Sequence, residues 1–432
     1  MQNMELQNLD IKTVRPAALP TPLRFAGNDD HTRIRYREDT NRVMLRAAFD
    51  MGEDQSGLSF ERAGPRSHIA YDPKRMTAAI VTCGGLCPGL NDVIRAMVMC
   101  LWHRYGVRNI LGIRYGFHGL SDPEIRPMEL TPNVVQDIHK DGGTMLGASR
   151  GYESEEMVVN GLVRYGIDLL FVIGGDGSQR GAHDTWTEIE RRGLQIGVVG
   201  IPKTVDNDIA WVDQSFGFDT AVTVATAVVE AAHVEARSAH NGVGLVKLMG
   251  RDAGWLAAYA SLASMDADVV LIPEVPFDLD GDHGLIPYVR HLLAKKGHAC
   301  LVVSEGAGQH LFDDERTDTD ASGNVRHHDI GTFLRERLSV ALPEASLKYF
   351  DPSYVVRSAP ANANDSVFCA RLAHNAVHAG MAGKTDMMLG RWYAKFTHIP
   401  LNLVASGTKH LNPRSAIWRT VLEATGQPAM AR

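Results

Sequence analysis

The chain has few cysteines and no long apolar run. It contains five cysteines among 432 residues, and Cys83 and Cys87 are four positions apart, which is not the usual spacing of a zinc or redox pair. An odd number of cysteines, mostly within apolar runs, predicts buried free thiols in a reducing compartment. No apolar stretch has the length of a membrane span, and the first residues lack the apolar core of a signal peptide. The sequence therefore predicts a cytoplasmic protein with no membrane partner.

Neither sign of charge is in large excess. The formal net charge is −7, and 22% of the residues are charged. A mildly acidic surface argues against a general nucleic-acid or anionic-membrane partner, although a local basic pocket can still bind phosphate. Hydrophobic residues make up 44% of the chain, as in an ordinary soluble protein. The length suffices for two or three domains.

Residues 1 to about 72 show no sustained periodicity, which predicts an extension that lies on the main body or is partly disordered. From Met76 onward, apolar runs of strand length alternate with helix-like segments such as 89–104 and 219–238. The predicted strands are 78–81, 109–113, 169–173, 196–201, 243–248, 269–272 and 299–303. This alternation predicts parallel sheets with helices on both faces, and ligands in such folds bind beyond the carboxyl ends of the strands.

The turn Gly174-Gly-Asp-Gly-Ser178 follows the fully apolar strand 169–173. Its glycines allow a tight turn and let phosphate oxygens approach the backbone N–H groups. The carboxylate of Asp176 would repel a bare phosphate, so its presence indicates a divalent cation between the two. The alternative is an Asp-Gly turn in which Asp176 only caps the next helix.

The segment Pro202-Lys-Thr-Val-Asp-Asn-Asp208 follows the next predicted strand. Of its two carboxylates, one can face a metal while the other takes a proton from an attacking hydroxyl. Lys203 and Thr204 offer a cation and a hydroxyl to phosphate. The alternative is a polar loop with Asx turns. Together with Asp176, Asp206 and Asp208 predict phosphoryl transfer from a metal-bound polyphosphate.

Other polar turns also end predicted strands. Gly84–Gly89 is either a phosphate-binding turn at a helix N-terminus or a glycine-rich turn that only connects the strand to the helix. Arg251 supplies a planar donor fork for a phosphoryl group, or forms a surface pair with Asp252. Glu305 either accepts hydrogen bonds from sugar hydroxyls or caps a helix. The remaining candidates are weaker: Arg150 after a glycine-rich stretch, the loose cluster of Lys348, Tyr354 and Arg357, and the pair His327-His328, which is interpreted as solvent-exposed within a solvated loop at 313–329.

The ordered set Gly-Gly-x-x-Pro-Gly, Gly-Gly-Asp-Gly-Ser, Pro-Lys-Thr-Val-Asp-Asn-Asp and Met-Gly-Arg resembles the phosphofructokinase family over about residues 74–402. The resemblance implies two Rossmann-like α/β domains with mainly parallel sheets and an active site in the cleft between them. It implies an N-terminal extension at 1–72, a phosphoryl-donor domain at 73–217 plus 356–406, and a fructose 6-phosphate domain at 218–355 plus 407–432. It further implies Mg²⁺ and a homo-oligomer, either a dimer or a tetramer.

The resemblance also implies roles for individual residues. Asp206 matches the catalytic base, Arg251 the arginine that stabilises transition-state charge, and Thr204 a residue beside the reacting phosphate. Asp176 and Asp208 match the metal-linked carboxylates. The phosphoryl-donor positions are Gly85, Arg150, Gly177, Ser178, Gly181 and Lys203. The sugar-phosphate positions are Thr204, Asp206, Met249, Gly250, Arg251, Glu305, Lys348, Tyr354 and Arg357.

The phosphoryl donor is predicted from two positions. Pyrophosphate-dependent relatives typically carry Asp where this chain has Gly177, and ATP-dependent bacterial enzymes typically have Gly where it has Lys203. A glycine at 177 leaves room for the α-phosphate of a nucleotide, and the combination is similar to that of plant and trypanosomatid enzymes, so ATP is favoured. The alternatives are a pyrophosphate-dependent enzyme and a non-catalytic sugar-phosphate-binding subunit. Gly242, Lys348 and Tyr354 depart from the bacterial pattern.

Overall fold

The computed structural model describes residues 9–24, 36–46, 57–149, 151, 153–312, 319, 325–405 and 407–430. Its strands are β1 Lys12–Thr13, β2 Leu19–Pro20, β3 Arg42–Met44, β4 Ser59–Arg62, β5 His68–Ile69, β6 Thr77–Thr82, β7 Asn109–Ile113, β8 Met128–Glu129, β9 Leu169–Gly174, β10 Gly197–Pro202, β11 Gly242–Leu248, β12 Val269–Leu271, β13 His298–Ser304, β14 Ser346–Phe350, β15 Lys384–Thr385, β16 Met387–Trp392 and β17 Lys395–Pro400. Its α-helices are α1 Leu90–Cys100, α2 His118–Ser121, α3 Pro132–Val135, α4 Glu155–Arg164, α5 Asp176–Arg191, α6 Phe218–Ser238, α7 Trp255–Ser264, α8 Leu285–Lys296, α9 Ile330–Ala341, α10 Ser353–Ser358, α11 Ala363–Met381, α12 Leu401–Val404 and α13 Ala416–Thr425. A π-helical turn, Leu101–Tyr105, continues α1.

The chain forms two compact units. Unit 1 comprises Met1–Thr204, Ile209–Phe216 and Pro360–Gly407, and unit 2 comprises Val205–Asp208, Gly217–Ala359 and Thr408–Arg432. The prediction placed residues 205–208 in the donor domain, whereas their contacts group them with unit 2. The described parts of the predicted extension at 1–72 belong to unit 1. The donor and sugar-phosphate roles of the two units remain a prediction.

Unit 1 is built on a sheet with the strand order β3-β4-β17-β16-β10-β9-β6-β7-β8. Strands β16, β10, β9, β6 and β7 run parallel, and antiparallel strands flank them at both ends. Strand β9 is buried at every residue, as a central parallel strand should be. Leu170 and Val172 pack in one core with Val158 of α4 and Ile189 of α5, whereas Leu169 and Phe171 face α11. Helices therefore cover both faces.

Unit 2 contains the parallel sheet β12-β13-β11-β14. Two glycines of β11 allow close packing of α6: a Cβ at Gly242 would lie 2.0 Å from the carbonyl oxygen of Ala236, and one at Gly244 would lie 2.6 Å from that of Ala232. Gly242, which departs from the bacterial family pattern, thus has a packing role here. On the other face, β11 packs on α8 and α9.

The sequence predicted the main architecture correctly. All seven predicted strands and both named helices are present, and the α/β fold with mainly parallel sheets is confirmed. The five cysteines are buried free thiols, as expected. The antiparallel pairs β16–β17 and β3–β4 were not predicted. No α-helix within the described ranges combines the length and the apolar character needed to cross a membrane.

A buried charge cluster joins β4 to β17 and β15 within unit 1. Glu61 accepts a hydrogen bond from Arg66 at 2.5 Å, pairs with Lys384 at 3.0 Å and contacts Nδ1 of His398 at 2.9 Å. Each of these four side chains is at most 9% exposed. Burial alone would raise the pKa of Glu61, but His398, Lys384 and Arg66 outweigh it and lower the pKa to about 2.

Replacing Glu61 by glutamine is expected to destabilise the fold by about 3 kcal/mol, because it leaves the buried Arg66 and Lys384 with only the exposed Asp39 as a carboxylate partner. In the parent, the pKa of Glu61 is lower in the folded state than in the unfolded state. The contribution of the Glu61 carboxylate to stability is therefore complete above pH 4.5 and is lost as the pH falls towards 2. Urea unfolding at pH 7 and at pH 4 measures both effects. The exposed Glu336→Gln is the control, and a Glu61→Gln variant as stable as this control at pH 7 would contradict the prediction.

Candidate active site

Three turns meet at the carboxyl edge of the unit 1 sheet, after β6, β9 and β10. The amide of Cys83 donates to the carbonyl of Ile173 at 2.9 Å, and the amide of Lys203 donates to that of Gly174 at 3.0 Å. The Lys203 ammonium reaches back to the carbonyl of Gly85 at 2.7 Å. The parallel register of the strands thus brings the predicted phosphate-binding turns together.

The turn after β6 is shaped by Gly84, which has a φ of +80°. A Cβ at this position would lie 3.7 Å from both the Lys203 ammonium and the Ser178 hydroxyl. The predicted donor residues Gly85, Ser178 and Lys203 are therefore neighbours within unit 1. Arg150 lies outside the described residues, but the preceding Ser149 accepts a backbone hydrogen bond from Gly84 at 3.1 Å.

Helix α5 begins at Asp176, with Gly175 as its N-cap. Asp176 is therefore the first helical residue, and Gly175 occupies the cap position. Gly177 and Ser178 continue the first turn, where backbone N–H groups have no partner within the helix and favour anions. Arg180, one turn later, donates to the Asp176 carboxylate at 2.7 Å.

Gln179, which no sequence pattern marks, is fully buried behind this turn. Its amide nitrogen donates to the carbonyl of Gly174 at 2.9 Å and to that of Ile201 at 3.1 Å, so it ties β9 to β10. Gly181 faces a ring: a Cβ there would lie 3.2 Å from Phe117. Packing against Phe117 is a further reason for glycine at a position that was interpreted as a donor site.

Carboxylates gather in unit 2 around the second acidic segment. Asn207, between Asp206 and Asp208, adopts a φ of +55°, a conformation that asparagine tolerates better than most residues. Asp206 is half-buried and accepts a hydrogen bond from the backbone N–H of Arg251. Removal from water, followed by the charges of Asp208 and Glu305, raises the pKa of Asp206 well above its usual range.

The turns after β11 and β13 lie against each other and hold Arg251 and Glu305. Gly306 donates to the carbonyl of Gly250 at 3.1 Å, and a Cβ on Gly306 would lie 1.6 Å from the carbonyl oxygen of Arg251. Gly250 itself has a φ of +127°, which excludes other residues. Burial raises the pKa of Glu305, although Lys247, Arg251 and other cations oppose that rise.

The sequence did not predict the contacts that His327 and His328 make in unit 2. Nε2 of His327 lies 3.5 Å from the carboxylate of Asp252, which also lies 3.6 Å from Nε of Arg251. The histidine pair was interpreted as solvent-exposed rather than as a metal site, and the structure shows both residues half-buried, with His328 stacked on Phe312 at 4.2 Å. Residues 313–318 and 320–324 of the predicted solvated loop lie outside the described residues.

The three weak sugar-phosphate candidates differ in their environment. Lys348 is exposed on β14, and Tyr354 on α10 is 80% exposed. The Arg357 guanidinium lies 4.8 Å from the Tyr354 ring centre, and its charge is among those that favour the ionised form of Glu305. Arg357 is thus the member of this set that the structure connects with the carboxylate cluster.

Comparison with known proteins gives consistent results. Residues 77–380 match the family model of phosphofructokinase. The ATP-dependent 6-phosphofructokinase of Borreliella burgdorferi is 49% identical over 88% of this chain and 87% of its own length. The ATP-dependent 6-phosphofructokinase of Amycolatopsis methanolica is 47% identical over 99% of this chain and 96% of its own length. The chloroplastic ATP-dependent 6-phosphofructokinase 5 of Arabidopsis thaliana is 45% identical over 85% of this chain and 69% of its own length.

Solved structures share the fold at lower identity. A pyrophosphate-dependent phosphofructokinase from Marinobacter aquaeolei has a TM-score of 0.67 and 22% identity, covering 83% of this chain and 92% of that one. The phosphofructokinase of Saccharomyces cerevisiae has a TM-score of 0.62 and 24% identity, covering 81% and 48%. These likenesses establish the architecture and carry no information on the phosphoryl donor.

Proposed function

The chain belongs to the phosphofructokinase family, and we propose how its residues carry out the reaction of an ATP-dependent 6-phosphofructokinase. That reaction moves the γ-phosphoryl group of ATP to the 1-hydroxyl of fructose 6-phosphate and yields fructose 1,6-bisphosphate and ADP. The observation that carries the proposal is the cluster of Asp206, Asp208 and Glu305 beside the backbone of Arg251, on a chain 45–49% identical to ATP-dependent relatives.

Asp206 is the proposed general base. A base works best when its pKa is close to the operating pH, and burial, followed by the neighbouring carboxylates, moves the pKa of Asp206 in that direction. It would take the proton from the sugar hydroxyl as the new bond to phosphorus forms. Thr204 is proposed to contact the reacting phosphate, and Glu305 to hold the sugar hydroxyls.

The phosphoryl donor is assigned to the turns of unit 1. Backbone N–H groups at the start of α5, the Ser178 hydroxyl and the Lys203 ammonium are suited to bind phosphate oxygens. Gly85 and Gly181 leave room beside them. Met249 and Gly250, together with Lys348, Tyr354 and Arg357, are assigned to the sugar phosphate.

Magnesium is proposed as the metal, with Asp176 and Asp208 as its protein ligands. Within the described part of the chain, no group of three or more His, Cys, Asp or Glu side chains could hold an ion. Mg²⁺ usually binds through one or two carboxylates together with substrate phosphates and waters, so either carboxylate is a suitable ligand for this ion. When bound, the ion would neutralise charge on the transferred phosphoryl group.

Steady-state assays with fructose 6-phosphate and either ATP or pyrophosphate test the assignment. We expect kcat/KM to be much higher with ATP. A preference for pyrophosphate would overturn the donor assignment, and no turnover with either donor would overturn the catalytic role. Size-exclusion chromatography with light scattering tests the further proposal of a homodimer or homotetramer.

Replacing Arg251 by alanine is expected to reduce kcat/KM for fructose 6-phosphate about 10²-fold, because a guanidinium that meets developing charge stabilises the transition state. The expected result is a lower kcat together with a higher KM. Arg419→Ala, which removes an exposed arginine on α13 of the same unit, serves as the control. Unchanged kinetics in Arg251→Ala would make this residue part of a surface pair with Asp252.

A further inference from the structure

The final segment of unit 2 contacts the turn that carries the two acids of the site. The backbone N–H of Lys409 donates to the carbonyl of Asp208 at 2.7 Å. Two positions before Asp208, the carboxylate of Asp206 accepts a hydrogen bond from the backbone N–H of Arg251. Between the two acids, Asn207 adopts a φ of +55°. The acidic turn is therefore held by two parts of the chain that are far apart in sequence.

The segment from Lys409 to Leu411 is itself fixed against unit 2. Nδ1 of His410 lies 2.6 Å from the carbonyl oxygen of Asp252, which belongs to the turn after β11. The indole N–H of Trp255 donates to the carbonyl of Lys409 at 3.4 Å. The side chain of Leu411 is completely buried. Each residue of this short segment thus has a defined contact, so the segment can act as a support for the acidic turn.

Glu274 links the same segment to the start of α7. Its Oε1 accepts the backbone N–H of Leu411 at 2.6 Å and that of Gly254 at 3.0 Å, and its Oε2 lies 3.1 Å from the Gly254 nitrogen. Glycine suits this close approach, because a Cβ at 254 would lie 2.4 Å from Cβ of Ile272 and 3.0 Å from Oε2 of Glu274. Burial raises the pKa of Glu274, and the two N–H groups oppose that rise by favouring the carboxylate.

Together these hydrogen bonds close a ring around the acidic turn. The ring runs from Asp208 through the segment 409–411 to Glu274. It returns through the turn 249–254 to Asp206. A carboxylate that only capped α7 would need no partner in the final segment of the chain. The hydrogen bond from that segment therefore indicates a role at the acidic turn as well.

We propose that Glu274 is a positioning residue for Asp208 and that it acts through the backbone of Lys409. The inference rests on the proposed role of Asp208 as a ligand of Mg²⁺. This ion demands near-ideal octahedral geometry, so a small displacement of one ligand weakens its binding. Groups that orient a metal ligand typically contribute about 10–100-fold to metal affinity. Loss of the Glu274 carboxylate should therefore weaken metal binding although every proposed ligand is still present.

Binding of Mn²⁺, used as a substitute for Mg²⁺, tests the proposal. The full chain is mixed with one equivalent of ADP and with fructose 6-phosphate, a pair that cannot react, and free Mn²⁺ is measured by electron paramagnetic resonance. We expect Glu274→Ala to bind Mn²⁺ about tenfold more weakly than the parent. Glu274→Gln should retain most of the affinity, because its Oε1 can still accept both N–H groups. Glu423→Ala, which removes an exposed carboxylate on α13, is the control.

A second pair of variants tests the backbone contact directly. Lys409→Pro removes the N–H that donates to Asp208, and Lys409→Ala keeps it. We expect the proline variant to lose Mn²⁺ affinity as Glu274→Ala does, and the alanine variant to retain it. Steady-state kinetics provide a further readout: the KM for fructose 6-phosphate should stay at the parent value in Glu274→Ala. A general loosening of unit 2 would raise this KM, and such a rise would make Glu274 a purely structural residue.

The Asp208→Asn variant separates failure of this inference from failure of the proposed function. If it binds Mn²⁺ as tightly as the parent, Asp208 is not a metal ligand, and the proposed metal role and this inference are both wrong. If it binds weakly while Glu274→Ala and Lys409→Pro bind like the parent, the metal role stands and the positioning role is excluded. An equal loss in Glu274→Ala and Glu274→Gln would exclude hydrogen bonding by Oε1 as the cause. Thermal unfolding shows that each variant compared is folded.

Discussion

The Asp206→Asn variant is expected to phosphorylate fructose 6-phosphate with a kcat about 10²–10⁴-fold below that of the parent, with little change in KM. The amide keeps the shape of the carboxylate and can still accept the backbone N–H of Arg251, but it cannot take a proton from the sugar hydroxyl. Steady-state kinetics with saturating ATP measure the loss. Asp280→Asn, which removes an exposed carboxylate paired with Arg337, is the control. A kcat within a few-fold of the parent would exclude Asp206 as the base.

The titration of Asp206 in the protein without Mg²⁺ gives a second view of the same carboxylate. Burial, followed by the charges of Asp208 and Glu305, raises the pKa of Asp206 above its usual range. Removing one of these charges in Asp208→Asn should lower the pKa of Asp206, which NMR titration of the carboxyl carbon measures. An unchanged pKa of Asp206 would show that the charge of Asp208 does not act on it.

The Gly177→Asp variant is expected to lose most of its activity with ATP and less of its activity with pyrophosphate, so the ratio of the two kcat/KM values should rise steeply. Gly177 is exposed in the first turn of α5. The new carboxylate would lie where the α-phosphate is proposed to pass, and like charges at short range repel strongly. Pyrophosphate is a shorter donor and does not extend to that point.

Stability separates this effect from damage to the fold. A glycine inside a helix costs about 1 kcal/mol relative to alanine, and an aspartate in the first turn interacts favourably with the helix dipole. Gly177→Asp should therefore unfold at the same temperature as the parent or above it. Gly177→Ala, which adds bulk without charge, should retain more ATP activity. An unchanged donor ratio in Gly177→Asp would overturn the role of this position.

The parts of the fold that the sequence predicted are those governed by local pattern. Strand β9 is continuously apolar and ends in glycines, and both its position and the turn that follows could be predicted from these residues alone. Parallel pairing then places the turns of β6, β9 and β10 at one edge. This geometric consequence brought Gly85, Ser178 and Lys203 together without any knowledge of their side-chain contacts.

The residues that were missed act through contacts between distant parts of the chain. Gln179 carries no pattern that marks it as a bridge between Gly174 and Ile201, since its role depends on the register of two strands. His327 meets Asp252 across 75 positions, and its neighbouring residues are polar, which favoured a solvated loop. Glu61 lies more than 300 positions from both Lys384 and His398, so these pairings could not be predicted either.

The pairing of β4 with β17 gives the N-terminal segment a protective role. A shortened chain starting at Met76 would expose the backbone N–H and C=O groups along β17, and such an uncovered strand is a template for pairing with a second molecule. The same cut would remove Asp39 and Glu61, the two carboxylates that pair with the buried Lys384. Strands β3 and β4 therefore cover β17 against pairing with a second molecule, and expression of the shortened chain is expected to yield aggregates.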